Sequence, residues 1–296
     1  MYIRQFYLCL LLTLSIAACT STDTNSVEEN DKEAPAETGM LVDSVLYYRQ
    51  QQQKTDILSR HLPEITREQA IEIQLAMLQK ELAAGEELIG WKMGGTIASD
   101  SAQYDPVFGY ILSKNLIKQD SVVSAENFPG GEVLVEGEVG FVLKNDFRNG
   151  VSSIEELKEG IDYVVGAVEF AQSTAIPAPE APDAFSLNHT LATGMGQAGL
   201  IIGSVQKDVN DFEMHSETVQ CFIDGELAAE GSSSRVYTSP LHALFSLANM
   251  LPQHGNYLKQ GDIVVTGSLY ANPTIDSTCQ VRLEYNHLGN ITFSMK

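Results

Sequence analysis

The chain has 296 residues, 44% hydrophobic and 19% charged, with 18 Lys and Arg against 39 Asp and Glu, for a formal net charge of -21. It has no basic stripe able to displace counterions from a phosphate backbone, which excludes nucleic acid as a partner. Acidity on this scale confers solubility, and it requires an anionic ligand to meet a cation in its site.

The N-terminus reads as an export signal. Arg4 precedes an apolar stretch over residues 6–16 that is too short for a permanent membrane span. Ile16-Ala17-Ala18-Cys19 resembles a bacterial lipoprotein cleavage site, which makes residues 1–18 a signal peptide and Cys19 the lipidation candidate. The expected location is the bacterial cell envelope, at the periplasmic face or outer surface, with the membrane touched through the lipid anchor only. Residues 19–39, rich in Ser, Thr, Asn, Asp, Glu and Ala, read as a disordered acidic tether. Residues 40–296 then form one domain. It keeps Cys221 and Cys279, for which a bridge and two separate buried thiols are both open.

Along that domain, residues 42–52 predict a first helix. A second begins at Thr66, which forms a capping box with Gln69, and ends by Gly85. Strand patterns follow at 88–93, 133–143, 162–170, 199–202, 218–223, 263–266, 279–285 and 290–294. Short helices are predicted at 153–160 and at 240–250, where Pro240 takes a favoured N-terminal position. Many strands, few helices and no strict alternation predict a β-rich α+β fold.

Two segments carry unusual acids. In Val133-Leu134-Val135-Glu136-Gly137-Glu138-Val139-Gly140-Phe141-Val142, alternation places Glu136 and Glu138 on one strand face, flanked there by Leu134 and Val142. Two neighbouring carboxylates in a half-apolar setting repel each other and lose hydration, and a cation between them relieves both costs. Glu169 repeats the anomaly at the end of an apolar run, residues 163–170. Three carboxylates suit magnesium, manganese or calcium better than zinc. Spacing alone fits at least as well a pair of solvated acids on an edge strand.

Further motifs fall in a familiar order. Ile89-Gly90-Trp91-Lys92-Met93-Gly94, Asp105-Pro106-Val107-Phe108-Gly109, the Glu136/Glu138/Glu169 set, Ser239-Pro240-Leu241-His242-Ala243 and Gly261-Asp262-Ile263-Val264-Val265-Thr266-Gly267 together resemble the 2-keto-4-pentenoate hydratase and 4-oxalocrotonate decarboxylase branch of the fumarylacetoacetate hydrolase superfamily. The resemblance implies a mixed β-sandwich or barrel-like core with a small N-terminal helical segment. It implies a magnesium or manganese ion (calcium also fits) on Glu136, Glu138 and Glu169, a small 2-oxo acid substrate, and assembly as a homo-oligomer. Lys92 and Asp105 become the catalytic candidates, Lys92 with a pKa that burial would lower unless a nearby anion opposes it. Thr266, Gly267 and His242 become the substrate-binding candidates. The implied activity is that of a metal-dependent hydratase or decarboxylase acting through a stabilised enolate. Two alternatives stay open: a carbon-carbon bond hydrolase on an acylpyruvate-like substrate, for which His61 and His189 are candidates, and a binding lipoprotein without turnover.

The chain departs from the family pattern at several points. Val107 stands where relatives carry an acid, Ser173-Thr174 replaces a serine-arginine pair, and His242 replaces an asparagine. Thr193-Gly194-Met195-Gly196 replaces an aspartate-asparagine-alanine-serine stretch, after an insertion-like loop at 176–185.

Overall fold

The computed structural model describes residues 36–97, 105–177 and 183–296. The described residues form one compact unit. It opens with three helices: α1 (Ala36–Gln50), α2 (Ile57–His61) and α3 (Arg67–Ala83). Helix α1 starts four residues inside the expected tether, with Glu37 in its first turn favouring the positive end of the helix dipole. The Thr66/Gln69 capping box forms in full and fixes the start of α3.

The strands and helices that follow are β1 (Leu88–Gly94), β2 (Val107–Leu112), β3 (Val122–Val123), β4 (Val133–Leu143), α4 (Ile154–Glu159), β5 (Ile161–Ala171), α5 (Asp183–Ala192) and β6 (Gln197–Ile202). The chain closes with β7 (Thr218–Ile223), β8 (Glu226–Ser232), α6 (Pro240–Met250), β9 (Ile263–Val265), β10 (Thr274–Ile275), β11 (Cys279–Tyr285) and β12 (Gly289–Met295). One sheet runs β2-β1-β9-β4-β5-β6, with β10 beside β4; the other runs β3-β12-β11-β7-β8. Pairing is antiparallel except at β1 with β9 and β12 with β3, so the fold is the mixed α+β type expected.

The two sheets are joined by aromatic contacts. Phe170 of β5 meets Phe293 of β12 edge-on at 4.9 Å and stacks on Phe128 at 5.7 Å. These rings belong to one continuous core that also takes in Val135, Val139 and Phe141 of β4. The long β4–β5 hairpin is the centre of the first sheet. Its register sets Glu136 opposite Glu169 and Glu138 opposite Ala167.

Several elements differ from the sequence expectation. The stretch 176–185 ends in helix α5 rather than a loop throughout, and β2, β3, β8, β10 and α2 are additional. Strand β8 is largely exposed, so no hydrophobic period marked it. Cys221 and Cys279 are both free and buried, which settles the choice left open for them as two thiols.

Candidate metal centre

The acidic set is assembled by strand pairing. Glu136 and Glu169 are cross-strand neighbours, and Glu138 follows Glu136 on the same face two residues on. One carboxylate oxygen from each lies within 4.8 Å of the others. Glu138 and Glu169 are wholly buried, while Glu136 is half-buried and lines a cleft of about 390 Å³.

Their partners define the electrostatics. Lys92 of β1, 3% exposed, places its Nζ 2.5 Å from Glu169 Oε1 and donates to the Met195 carbonyl at 3.1 Å. Gly267 N–H donates to Glu138 Oε2 at 2.6 Å, and Asn272 Nδ2 donates to Glu136 Oε1 at 2.8 Å. Glu138 Oε1 and Glu169 Oε2 have no hydrogen-bond partner. Three carboxylates against one ammonium leave two uncompensated negative charges when all ionise. Burial, then the neighbouring acids, holds the Glu138 carboxyl well above the usual range. Burial raises Glu169 to about 7 even though Lys92 pulls it down. Orphaned buried oxygens and an all-oxygen donor set fit a hard divalent cation.

A backbone position and a side chain from the second sheet complete the frame. Gly267 has φ +112, and a Cβ there would sit 2.0 Å from Thr96 Oγ1, so only glycine delivers this N–H to Glu138. Tyr285 of β11 inserts its hydroxyl between β4 and β5. It accepts from Glu138 N–H at 3.0 Å and donates to the Ala167 carbonyl at 2.6 Å, bridging two residues that face each other in the ladder.

Of the residues singled out from sequence, the fold brings Lys92, Glu136, Glu138, Glu169 and Gly267 together. Thr266 is buried beside them, but its hydroxyl is spent on the Val139 carbonyl at 3.1 Å. Asp105 is exposed at a loop end and pairs with Arg67 at 2.6 Å. His242 is exposed at the start of α6, where its Nδ1 lies 2.9 Å from the hydroxyl of the capping Ser239. Neither Asp105 nor His242 lines the cleft. His189 is buried with its Nε2 2.9 Å from the Leu62 carbonyl, and His61 is exposed on α2. The Lys92 pKa is raised: burial lowers it, but Glu169, Glu136 and Glu138 together outweigh burial, so the opposing-anion case of the expectation is the one that applies.

No family model matches the chain. It is 26% identical over 236 residues to a 4-oxalocrotonate decarboxylase of a Pseudomonas species, covering 78% of this chain and 87% of that protein. It is 27% identical over 217 residues to a 2-hydroxyhexa-2,4-dienoate hydratase of Comamonas testosteroni, covering 72% and 80%. Among solved structures, the 4-oxalocrotonate decarboxylase of Pseudomonas putida G7 complexed with magnesium and adipate aligns with TM-score 0.79 at 20% identity, over 88% of this chain and 97% of that one. The chain is thus similar in sequence to hydratases and decarboxylases, and its fold is shared with the 4-oxalocrotonate decarboxylase and with a fumarylacetoacetate hydrolase family protein.

Similarity to these enzymes corrects the lipid-anchored envelope location expected from the N-terminus. Those relatives are named as hydratases and decarboxylases, and none of those reported is named as a lipoprotein. No helix among the described residues is long and apolar enough to cross a membrane. The signal segment, Cys19 and the tether as far as residue 35 lie outside the described residues. Asn272 escaped the sequence reading, although the Asn272-Pro273 turn just after the glycine-aspartate motif offered a signal, and Met195 was read only as part of a departure from the family pattern.

Proposed function

We propose that the protein is a metal-dependent hydratase-type lyase acting on a 2-hydroxy-dienoic acid in its 2-oxo form. The observation that carries this is the convergence of Glu136, Glu138 and Glu169 beside a cleft that Lys92 enters. The reaction adds one water: its hydroxyl goes to the carbon two positions beyond the 2-oxo carbon and its proton to the carbon between them, giving a 4-hydroxy-2-oxo acid. Relatives named as hydratases of such dienoic acids, and a neighbour structure complexed with magnesium, support the reading.

Glu136, Glu138 and Glu169 are the residues that would hold the cation. A divalent cation there would supply charge balance for the acids and Lewis-acid stabilisation of developing negative charge on the substrate. The remaining work falls to the chain itself. Lys92 is the only cationic residue lining the cleft among the described residues, so it is placed to neutralise the substrate carboxylate and to pass on a proton. Gln172, Ser173 and Ser268 offer neutral polar groups to orient water, while Met93, Leu134 and Ala171 form the apolar wall along the carbon chain.

The test is to follow loss of dienol absorbance of 2-hydroxypenta-2,4-dienoate by the full chain with magnesium, manganese or calcium. Metal-dependent turnover that Glu138→Gln abolishes is the expected result. Tight binding of a 2-oxo acid without product would make the protein a binder, and release of two fragments from an acylpyruvate would make it a hydrolase.

A further inference from the structure

A second cavity, of about 380 Å³, lies between α1, the end of α3 and the start of β6, and shares only Gln172 with the cleft of the acidic site. Its size is that of a small-molecule pocket, roughly 300–1,000 Å³. Several of its polar groups are buried and unspent. Gln197 is 3% exposed, and neither its Nε2 nor its Oε1 has a partner. Glu81 is 8% exposed; its Oε1 accepts from Lys114 at 3.0 Å, but its Oε2 accepts no hydrogen bond and lies 3.8 Å from Arg49 Nη1. Asn115 gives its Nδ2 to the Ala198 carbonyl at 3.3 Å and leaves Oδ1 without a partner.

The cations of this cavity are already engaged. Arg49 donates to the Tyr110 hydroxyl at 2.8 Å and to the Gln197 carbonyl at 3.4 Å, and Lys114 pairs with Glu81 and Glu86. What is unmet is therefore two acceptors, Gln197 Oε1 and Asn115 Oδ1, and one donor, Gln197 Nε2, while Glu81 Oε2 keeps the Arg49 ion pair. Buried polar groups are ordinarily satisfied, and a carboxamide empty at both ends calls for a ligand or ordered water. A carboxylate or phosphate brings acceptors where donors are wanted. An ammonium group brings donors but adds charge beside Arg49 and Lys114. Hydroxyl groups donate and accept at once and carry no charge. Leu46, Val123 and Phe128 supply an apolar side for the carbon face of such a molecule.

We propose that this cavity binds a neutral polyol of about monosaccharide size, with Gln197 reading two of its hydroxyls. The proposal does not rest on the lyase reading, since none of its polar anchors belongs to the acidic site. The test uses the full chain with EDTA present, and measures binding of glucose, myo-inositol and glycerol by calorimetry and saturation-transfer NMR, with acetate and ethylammonium as controls. At least one polyol should bind saturably and neither control should. Gln197→Leu should weaken that binding by about tenfold, the loss of one buried hydrogen-bonding group. Asn115→Ala, on the rim, should weaken it less, and it carries the test should the first variant fail to fold. Absence of polyol binding, binding indifferent to both variants, or preferential binding of acetate or ethylammonium would overturn the proposal.

Discussion

Lys92 is held from two sides, 2.5 Å from Glu169 Oε1 and 3.1 Å from the carbonyl of Met195. Met195 delivers that carbonyl from a left-handed backbone, φ 57, between Gly194 at φ 81 and Gly196 at φ 67. A non-glycine residue there is strained, and strain of this kind persists where surrounding contacts enforce it. Met195→Val, β-branched, should cost about 1–3 kcal/mol in urea unfolding. Equal stability of Met195→Val and the parent would show that the turn stores no strain.

Removing the lysine tests the charge balance. Lys92→Met takes away the ammonium beside Glu169. That carboxyl, already raised to about 7 with the lysine present, should then stay protonated at neutral pH. The cost should therefore fall below the about 3–5 kcal/mol of a buried charge left unpaired. The metal-free variant should melt lower than the parent at neutral pH, lose turnover, and bind magnesium at least as tightly because one opposing positive charge is gone. Loss of magnesium affinity instead would mean that Lys92 organises the acids rather than only neutralising them.

The raised carboxyls predict how the metal-free protein responds to pH. Glu169 titrates at about 7 in the fold, and Glu138 also lies well above its ordinary value, against about 4.3 for an unfolded glutamate. Their protonated forms favour the folded state, so this contribution is fully present below the unfolded value and is lost as pH rises through the folded values. The melting temperature of the EDTA-treated protein should therefore fall between about pH 5 and pH 8. The increment conferred by magnesium should grow over the same range, because the cation competes with protons. Thermal melts with and without magnesium measure both, and an increment constant with pH would contradict the assignment.

Asn272 touches the site through Glu136 alone among the acids, at 2.8 Å. Its side chain also accepts from Ser268 at 2.5 Å, so its orientation is fixed. Partners of this kind typically govern affinity by about 10–100-fold. Asn272→Ala should weaken magnesium binding by about tenfold with little change in melting temperature. Calorimetry with magnesium chloride is the direct measurement.

Strand β4 was legible from sequence because its apolar residues run on both sides of two glutamates, a pattern a solvated edge strand does not need. Its bounds in the fold are those expected, Val133–Leu143. Helix α6 was equally plain, with Ser239 capping and Pro240 opening it. Other positions depend on distant parts of the chain. Asp105 looked like an acid in a turn resembling a family motif, but the loop turns it outward to Arg67. His242 looked like a ligand-facing residue, but it sits in the first turn of α6 against its own cap. Met195 contributes through a backbone carbonyl, which no side-chain pattern reports. Helix α5 was hidden because the proline- and acid-rich residues ahead of it dominated the reading of that stretch.

Tyr285 comes from the second sheet, yet its hydroxyl stands between Glu138 and Ala167 in the first. It acts as a spacer in the hairpin at the level where the acids emerge. The width of the acidic cage is thereby set by how the two layers of the sandwich seat on each other, and not by the hairpin alone. Magnesium demands a tighter shell than calcium, which tolerates longer and more numerous contacts. Repacking around this one phenol would then alter the preferred ionic radius while every carboxylate stays in place.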